Sequence, residues 1–407
     1  MLIIQKYGGS SISCPERIDN VARRIVETYK KGNRVAVVLS APGDMTDELY
    51  EKAYQINPAP SKRELDMLLV TGEQQSVALM AMAIHKLGYS AISLNATQFG
   101  LSSTSNYGNA RIKSINTERL NAELDKNNIV LIAGFQGVNR FGDMTTLGRG
   151  ASDTTAVAVA AAMHADLCEI YSDVDGILTG DPRIVKNTRK LDEITYDEMM
   201  ELASLGAKVL QNRSVEIAKK YRVNLVVRSS MNDSEGTIIK EVCKVEGMFV
   251  SSVATDLNVA RISVVGIKDV PGMAFKLFSA LAAAKISVDI ILQSTGRNGN
   301  KDISFTVAKT DLNQALEIVK SNKEQIGFDS VSYDSDIAKL SVVGAGMASN
   351  PGVASVMFEA LYDVGVNIDM ISTSEIKISV LIHAKDVERA AASVHDKFMG
   401  FNVDSTR

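Results

Sequence analysis

The sequence predicts an α/β protein with an open, mostly parallel sheet, followed by two small ferredoxin-like α+β units. Up to about residue 230, short apolar runs typical of buried strands alternate with helical patterns. Past residue 245, one segment of the chain recurs 80 residues further on. The length of 407 residues also exceeds what one ordinary core accommodates. These observations together predict two or three domains.

The first part of the chain alternates strands with helices. Strand-like runs cover residues 2–4, 34–40, 90–94, 129–133, 167–171 and 225–228, and helical patterns cover 15–30, 77–86 and 154–163. The run RVAVVLS at 34–40 is rich in valine and lies between Gly32 and Pro42, as is typical of a buried strand. Ligands of such sheets bind beyond the carboxyl ends of the strands, which is where Lys6 and Ser40 lie.

The second part contains an internal repeat, in which residues 264–294 match residues 342–374. Identical residues stand 80 positions apart, namely Pro271 and Pro351, Gly272 and Gly352, Asp289 and Asp369, and Ser294 and Ser374. Each copy reads strand, Pro-Gly turn, amphipathic helix and strand, and then adds a strand (303–308; 376–383) and a helix (312–321; 387–398). This order predicts one ferredoxin-like unit that is present twice.

Composition argues against several classes of protein. The net charge of −4 argues against binding of nucleic acid or another polyanion. No apolar stretch is expected to reach the roughly 18 residues of a membrane span, and the amino terminus carries no recognisable secretory signal. Cys14, Cys168 and Cys243, like the four histidines, lack the spacing of a metal site. We therefore expect reduced thiols, no resident metal and a cytoplasmic location.

Lys6 and the glycines behind it, in KYGGSS, have two interpretations. The glycines can form a simple turn beside an exposed lysine. Alternatively, they let backbone N–H groups approach a phosphate while the lysine ammonium neutralises its charge. The motifs GxxxxGK[ST] and GxGxxG do not occur in the chain, so neither common phosphate-loop pattern applies. These residues alone leave both interpretations open.

Arg149 lies between two glycines in TTLGRGASDTTA, immediately before a predicted helix. Ser152 and Asp153 are suitable caps for that helix, but a cap does not explain a guanidinium held between glycines. Arginine binds carboxylates and phosphates in a bidentate manner, and a helix amino terminus also favours anions. The stretch therefore predicts an anion site.

Two further stretches are ambiguous by themselves. The segment YSDVDGILTGDPR at 171–183 fits either two Asx-turns or a nucleotide-binding loop, whereas Ile177 and a misplaced glycine exclude an EF-hand. Glu73 begins a helix, where its carboxylate suits the helix dipole. If Arg149 faces a substrate carboxylate, Glu73 is a natural partner for the ammonium group of that substrate.

Seven motifs stand in order along the first 220 residues: KYGGSS, SAPGDMTDEL, RELDMLLVTGEQQS, GFQGVN, TTLGRGASDTTA, YSDVDGILTGDPR and ASLGAKVLQNRSVEIA. Together they closely resemble aspartokinases of the amino-acid kinase fold, and the tandem repeat resembles the paired ACT domains that follow the catalytic domain in that family. The resemblance covers essentially the whole chain. It implies a catalytic domain over 1–245 and ACT domains over 246–335 and 336–407, with a first strand at about 248–256 that can pair with the second ACT domain.

The resemblance implies transfer of the γ-phosphoryl group of MgATP to the side-chain carboxylate of L-aspartate, the committed step towards lysine, threonine and methionine. Lys6 is then expected to stabilise the transferring phosphoryl group, and Asp153 to orient Lys6. The implied ATP-binding residues are Lys6, Gly8, Gly9, Ser10, Ser172, Asp173, Asp181, Arg183 and Lys208. The implied aspartate-binding residues are Ser40, Thr46, Glu73, Arg149 and Ser152, with Arg149 on the α-carboxylate and Glu73 on the ammonium. A carboxylate is already a nucleophile, so no general base is required.

One residue departs from the family pattern. The family usually reads GRGGSD, and the second glycine of the pair is Ala151 in this chain. If that position requires a positive φ, alanine strains the loop by about 1–2 kcal/mol. Two other functions compete with this one: an amino-acid kinase for glutamate, acetylglutamate or UMP, and a non-catalytic amino-acid sensor. The ACT pair and RELDMLLVTGE argue against the first, and the presence of Lys6, Arg149 and Asp153 argues against the second.

The repeat also suggests control and assembly. A helix amino terminus suits an α-carboxylate, and Asp289 or Asp369 could receive an ammonium, although the prolines could merely start helices at N1. The expected regulatory residues are Pro271, Gly272, Asp289, Pro351, Gly352, Asn367, Ile368 and Asp369. The resemblance implies lysine, threonine or both as feedback inhibitors, and Met248 as an internal start for a separate regulatory subunit. Open sheet edges predict a homodimer or higher oligomer through residues 250–407.

Overall fold

The computed structural model describes residues 1–206, 209–243, 250–294, 296, 299–347, 350 and 352–400. The chain divides into two compact units. The first comprises Met1–Leu178 and Arg189–Val245, and the second comprises Thr179–Thr188 and Glu246–Arg407. The short segment Thr179–Thr188 thus interrupts the first unit in sequence but belongs to the second.

The helices and strands follow one another throughout the described residues. The strands are β1 Leu2–Tyr7, β2 Arg34–Leu39, β3 Ala91–Leu94, β4 Leu101–Ser103, β5 Ile112–Ile115, β6 Ile129–Ala133, β7 Gln136–Val138, β8 Met144–Thr146, β9 Leu167–Ser172, β10 Glu193–Thr195, β11 Leu225–Ser229, β12 Thr237–Lys240, β13 Ser252–Asp256, β14 Val259–Lys268, β15 Val288–Gln293, β16 Asn300–Ala308, β17 Ser330–Asp334, β18 Ile337–Val343, β19 Met370–Thr373 and β20 Lys377–His383. The α-helices are α1 Pro15–Lys30, α2 Met45–Ile56, α3 Lys62–Leu69, α4 Thr71–Lys86, α5 Ala96–Phe99, α6 Glu118–Asp125, α7 Ser152–Ala162, α8 Tyr196–Ser204, α9 Asn212–Tyr221, α10 Met273–Ala283, α11 Leu312–Ser321, α12 Lys323–Ile326, α13 Val353–Asp363 and α14 Val387–Gly400. Short 3-10 helices cover Gly9–Ile12, Lys309–Asp311 and Ala384–Asp386.

The first unit is built on an eight-stranded sheet in the order β10-β12-β11-β9-β1-β2-β6-β3. All its pairs are parallel except β11 with β12. Strand β6 is buried along its whole length, as expected for a central parallel strand between two layers of helices. The predicted mostly parallel sheet is therefore confirmed.

The two faces of this sheet carry different side chains. Helices α1 and α4 cover one face and pack on Val35, Val37, Leu39 and Tyr7. Because successive side chains of a strand point to opposite faces, Lys6 points away from Tyr7. Helix α7 packs on β1, β2 and β9 and carries Asp153, the ion-pair partner of Lys6. The alternation of β1 thus directs the lysine of KYGGSS towards the helix that begins with Ser152.

A second sheet of the first unit has the order β5-β4-β7-β8. Its strands are three or four residues long and pair antiparallel at both ends of the order, while β4 and β7 pair in parallel. Asp66 of α3 anchors this sheet, because its buried carboxylate accepts hydrogen bonds from the N–H groups of Gly108 and Thr146 and from the Thr146 hydroxyl. The sequence did not predict these short strands.

The second unit contains two antiparallel four-stranded sheets, in the orders β15-β16-β14-β17 and β13-β18-β20-β19. Each sheet packs against helices from its own copy of the repeat. In the second sheet, β13 lies beside β18 at the place that β17 occupies beside β14. The two predicted ferredoxin-like units are therefore confirmed. The sheet of the second includes β13, which precedes the first ferredoxin-like unit in sequence.

Helices α3 and α4 follow each other closely and span Lys62–Lys86. Within the described residues, this stretch is one that could cross a membrane by length and hydropathy. The expectation that no apolar stretch has membrane length was therefore wrong, because Glu73 is the single charged residue between Asp66 and His85. In the folded unit 56% of the apolar window is buried, as is usual for a core helix, and one such helix is weak evidence of a membrane protein.

Candidate active site

The ion pair between Lys6 and Asp153 lies at the end of strand β1. Lys6 Nζ is 2.7 Å from Asp153 Oδ1, and the two side chains are 12% and 10% exposed. The lysine is therefore mostly buried, not exposed as a simple turn residue would be. Asp153 is the second residue of α7. The cap position of this helix is occupied by Ala151, which makes no side-chain hydrogen bond to the helix. A buried pair of this kind holds an ammonium group in a fixed direction.

A cavity of about 170 Å³ opens at the same edge of the sheet. Its size suits a small metabolite, since drug-sized ligands occupy about 300 Å³ or more. All five residues predicted to bind aspartate line this cavity, namely Ser40, Thr46, Glu73, Arg149 and Ser152. Gly9, predicted to contact ATP, lines it as well. The folded chain thus brings together residues from four motifs that are far apart in sequence.

Glu73 provides a buried carboxylate to this cavity. The residue is 3% exposed, and its Oε1 accepts a hydrogen bond of 3.0 Å from the backbone N–H of Ala41. Its other oxygen, Oε2, is buried without a hydrogen-bond partner among the described residues. Burial raises the pKa of the carboxyl to about 8, and the hydrogen bond to Ala41 partly opposes this. An incoming ammonium group would satisfy Oε2 and stabilise the charged form.

Arg149 lies on a loop that its glycines make possible. Gly148 and Gly150 have φ values of 97° and 75°, which side chains rarely adopt. Ala151 has φ −76°, so the alanine in place of the usual glycine causes no backbone strain. The Arg149 side chain is 77% exposed, and its Nη2 lies 3.0 Å from Asp47 Oδ1.

Two cavity residues with polar side chains, Asp47 and Tyr50, were not predicted. Both belong to α2, as does Thr46, and the guanidinium of Arg149 lies 5.8 Å from the centre of the Tyr50 ring. Thr46 and Asp47 precede Tyr50 by four and three residues, and each of these spacings places the residue beside Tyr50 on the helix surface. A helical prediction for residues 45–56 would have identified them beside Thr46.

Gly9 is fixed by close backbone contacts. A Cβ atom at this position would lie 2.6 Å from the carbonyl oxygen of Ala41 and 2.9 Å from that of Gly43. The carbonyl oxygen of Gly9 also accepts a hydrogen bond from the Gly43 N–H. Gly8 differs, because a Cβ there would lie 3.5 Å from Lys6 Nζ, at ordinary contact distance. Ser10 is exposed in the 3-10 helix, and its carbonyl oxygen accepts a hydrogen bond from Arg17.

The other residues predicted to bind the nucleotide fall into different units. Ser172 and Asp173 lie in the first unit, where the Ser172 hydroxyl donates to Asp173. Asp181 and Arg183 lie in the segment that belongs to the second unit. They form a bidentate pair, with Nε–Oδ1 and Nη2–Oδ2 distances of 2.9 and 2.6 Å, which lowers the pKa of Asp181. Lys208 lies outside the described residues.

The predicted regulatory residues lie on the two copies of the repeat. Gly272 and Gly352 have φ values of 95° and 110° and immediately precede α10 and α13. Pro271 therefore stands ahead of the helix cap, not at the first helical position. Asn367 and Asp369 are exposed and Ile368 is half-buried, in a loop before β19. Pro351 and Met248 lie outside the described residues.

Asp289 has a partner from the second copy. Its Oδ2 lies 2.5 Å from Nζ of Lys339, a residue of β18 that is itself 5% exposed. Lys339 also approaches Asp256 at 3.7 Å. Among the described residues, the Asp369 carboxylate has no corresponding ion pair.

In the described part of the chain, no group of three or more metal-binding side chains is present.

Comparisons with known proteins agree with this architecture. The amino acid kinase family model matches residues 1–229, and an ACT domain model matches 262–322 and 340–398. The aspartokinase of Mycolicibacterium smegmatis is 51% identical over 403 residues, which cover 98% of this chain and 96% of the relative.

Two solved structures are also similar to this chain. Synechocystis aspartate kinase is 43% identical, with a TM-score of 0.56, over 98% of this chain and 69% of that one. E. coli aspartokinase III in complex with aspartate and ADP is 23% identical, with a TM-score of 0.83, over 98% and 100% of the two chains, and shows the shared fold.

These comparisons confirm the resemblance drawn from the motifs, and with it a phosphotransferase that carries ACT regulatory domains. The first unit contains the α/β sheet of the family, and the second unit contains the two ACT folds. Because the M. smegmatis relative is half identical over almost the full length, the chain belongs to the aspartokinases within the amino acid kinase family.

Proposed function

We propose that the 170 Å³ cavity binds L-aspartate and that MgATP phosphorylates its side-chain carboxylate to give 4-phospho-L-aspartate. One observation carries the proposal. A buried carboxylate oxygen without a partner, Glu73 Oε2, and a guanidinium, that of Arg149, belong to the same small cavity. A pocket that combines this buried carboxylate with a guanidinium suits an amino acid, whose α-carbon carries both an ammonium and a carboxylate.

Each charged group then has a defined task. Glu73 receives the α-ammonium of aspartate, and Arg149 leaves Asp47 to bind the α-carboxylate. Ser40, Thr46 and Ser152 donate hydrogen bonds around the substrate. Because a carboxylate attacks without losing a proton, the site needs positioning and charge neutralisation, not a base.

The phosphoryl group is assigned to the end of β1. Lys6 neutralises the charge that spreads over the transferring group, and Asp153 holds the lysine in place. Gly8, Gly9 and Ser10 line the phosphates. Ser172, Asp173, Asp181, Arg183 and Lys208 hold the remainder of MgATP. This assignment of the nucleotide follows the family resemblance.

Hydroxylamine trapping tests the reaction itself, because an acyl phosphate reacts with hydroxylamine to give a hydroxamate. We expect hydroxamate and ADP to form in equal amounts with L-aspartate, and far less with L-glutamate or N-acetyl-L-glutamate. Faster hydroxamate formation from either glutamate compound would assign the enzyme to another carboxylate acceptor. ADP release without hydroxamate would exclude a carboxyl acceptor.

We also propose that lysine, threonine or both bind the ACT domains and inhibit the reaction, as expected for the first step towards lysine, threonine and methionine. The resemblance to the family and the presence of two ACT domains support this, and E. coli aspartokinase III has been solved with lysine and aspartate. The domain limits we propose are 1–245, 246–335 and 336–407. Three unpaired cysteines, Cys14, Cys168 and Cys243, are consistent with the cytoplasm.

A homodimer or higher oligomer through the ACT domains completes the proposal. Strands β15 and β19 lie at the edges of their sheets, and Ile291, Leu292 and Ile371 on them are exposed. Phe275 on α10 is 76% exposed. Exposed apolar side chains on open edges favour pairing with another copy. Light scattering at micromolar concentration should show at least a dimer, and a monodisperse monomer would contradict this.

A further inference from the structure

The loop that carries Arg149 has few restraints of its own. The positive φ values of Gly148 and Gly150 make its backbone adaptable. The ion pair of Arg149 with Asp47 is exposed, with side chains that are 77% and 58% accessible, and such pairs contribute little. An accurate position of this loop relative to Lys6 is nevertheless required for in-line transfer.

Gln211, the cap residue of α9, contacts the backbone of this loop through its side chain. Its side-chain Nε2 donates a hydrogen bond of 2.9 Å to the backbone carbonyl oxygen of Arg149. Its Oε1 accepts a hydrogen bond of 2.5 Å from the hydroxyl of Thr154, a fully buried residue of α7. One amide group therefore connects the arginine to the helix that carries Asp153.

Arg213, the second residue of α9, binds the chain just ahead of the loop. Its Nη1 donates to the carbonyl oxygens of Ala110 and Leu147, at 3.2 and 3.0 Å. The guanidinium is partly buried, and the loss of solvent lowers its pKa. The start of α9 thus fixes the backbone at residue 147 and again at residue 149.

We infer that Gln211 is a positioning residue for the aspartate substrate: its amide fixes the aspartate loop against α7 and so holds Arg149 at the aspartate pocket. This inference rests on the proposed role of Arg149. Glutamine suits the position because one planar group both donates and accepts. Leucine of similar size does neither, and a carboxylate accepts from Thr154 but cannot donate to a carbonyl.

Steady-state kinetics of Gln211→Leu test the inference. Loss of both hydrogen bonds should lower kcat/KM for aspartate by about 5- to 30-fold, mainly through KM, and leave KM for ATP within about twofold. Asn212→Ala is the matched control, because Asn212 is exposed, neighbours Gln211 and donates to Ser204 instead. The control should match the wild type. Unchanged aspartate kinetics in Gln211→Leu, or equal losses for ATP and aspartate, would overturn the inference.

Gln211→Glu gives a second test that a merely structural role would not pass, and it serves if the leucine variant does not fold. The carboxylate of this variant cannot donate to the Arg149 carbonyl, whereas the protonated carboxyl can. The ratio of its aspartate KM to that of the wild type should therefore fall as the pH is lowered. A ratio independent of pH would contradict the inference.

Arg149→Ala, measured beside these variants, separates this inference from the proposed function. A raised aspartate KM in Arg149→Ala together with normal kinetics in Gln211→Leu would contradict the positioning role of Gln211 and leave the proposed function intact. Normal aspartate KM in Arg149→Ala would show that the pocket itself is wrongly assigned.

Discussion

The proposed aspartate pocket of the first unit and the two repeated aspartates of the second unit carry charge differently. In the pocket, Glu73 is 3% exposed and the Lys6 and Asp153 side chains are 12% and 10% exposed. In the repeat, the side chain of Asp289 is 49% exposed and Asp369 is exposed as well. Burying a charge is costly without a partner, so a buried charge marks a function more strongly than an exposed one. Substitutions should accordingly abolish activity in the first unit and alter its control in the second.

The two copies of the repeat sharpen this comparison. Residues 281–290 and 361–370 have the same order of buried, half-buried and exposed positions. Their aspartates nevertheless differ, because Asp289 is paired with Lys339 while Asp369 has no ion pair within the described residues. An effector ammonium would have to displace Lys339 at one copy but not at the other. The copies are therefore expected to bind effectors unequally.

Lys6→Ala should have the largest effect. Loss of the ammonium removes charge neutralisation in the transition state, so kcat should fall by at least about 10²-fold. Stability should fall by about 1–3 kcal/mol, because the Asp153 carboxylate is left buried without its partner. Circular dichroism and a rate assay measure the two effects. A near-normal kcat in a folded variant would remove Lys6 from the mechanism.

Arg149→Ala should raise KM for aspartate by about 10- to 30-fold, since a charge-assisted substrate contact is lost. KM for ATP should stay unchanged, and a loss of ATP affinity instead would contradict the division of the site. Asp47→Asn is the matched control, because it releases the guanidinium from its exposed partner. That variant should bind aspartate as well as the wild type or better.

The pH dependence of aspartate binding should follow Glu73, whose pKa is raised to about 8. Below this pH the neutral carboxyl must lose its proton to bind an ammonium, so KM should fall up to about tenfold per unit as the pH rises to 8, and then level. Because the folded protein holds a proton that the unfolded chain releases near pH 4.5, stability of the ligand-free protein should also decrease between about 4.5 and 8. Glu73→Gln should remove the contribution of this carboxyl to the pH dependence of KM and of stability. An unaltered pH profile of KM in that variant would contradict the role of Glu73 in aspartate binding.

Asp369→Asn and Asp289→Asn should have the smallest effect on basal activity, which we expect within about twofold of the wild type. Their effect should be on inhibition by lysine or threonine, and it should differ between the two variants because only Asp289 of the pair contacts Lys339. Calorimetric titration of each amino acid, with and without aspartate, measures the coupling, expected at about 1–3 kcal/mol. Equal behaviour of the two variants would show that the ion pair of Asp289 is irrelevant to control.

Much of the fold was predictable because its elements are local. Strand β6 and helix α11 have the predicted bounds, 129–133 and 312–321, since apolar periodicity determines them. The sheet of β4, β5, β7 and β8 was not predicted, because strands of three or four residues leave no pattern. Within the site, the burial of Lys6 and the φ of Ala151 could not be derived, since both depend on contacts with distant parts of the chain. Gln211 belongs to the motif ASLGAKVLQNRSVEIA, but only its tertiary contact with Arg149 gives it a role.

The most direct test of the pocket compares L-aspartate with succinate, which lacks the α-ammonium group, in the wild type and in Glu73→Gln at pH 8.5. We predict that the wild type prefers aspartate and that the variant loses about 30-fold or more in kcat/KM for aspartate, while its kcat/KM for succinate does not fall. The preference for aspartate would then largely disappear. Equal losses for the two substrates, or an unchanged preference, would contradict the claim that the buried carboxylate of Glu73 binds the ammonium of aspartate.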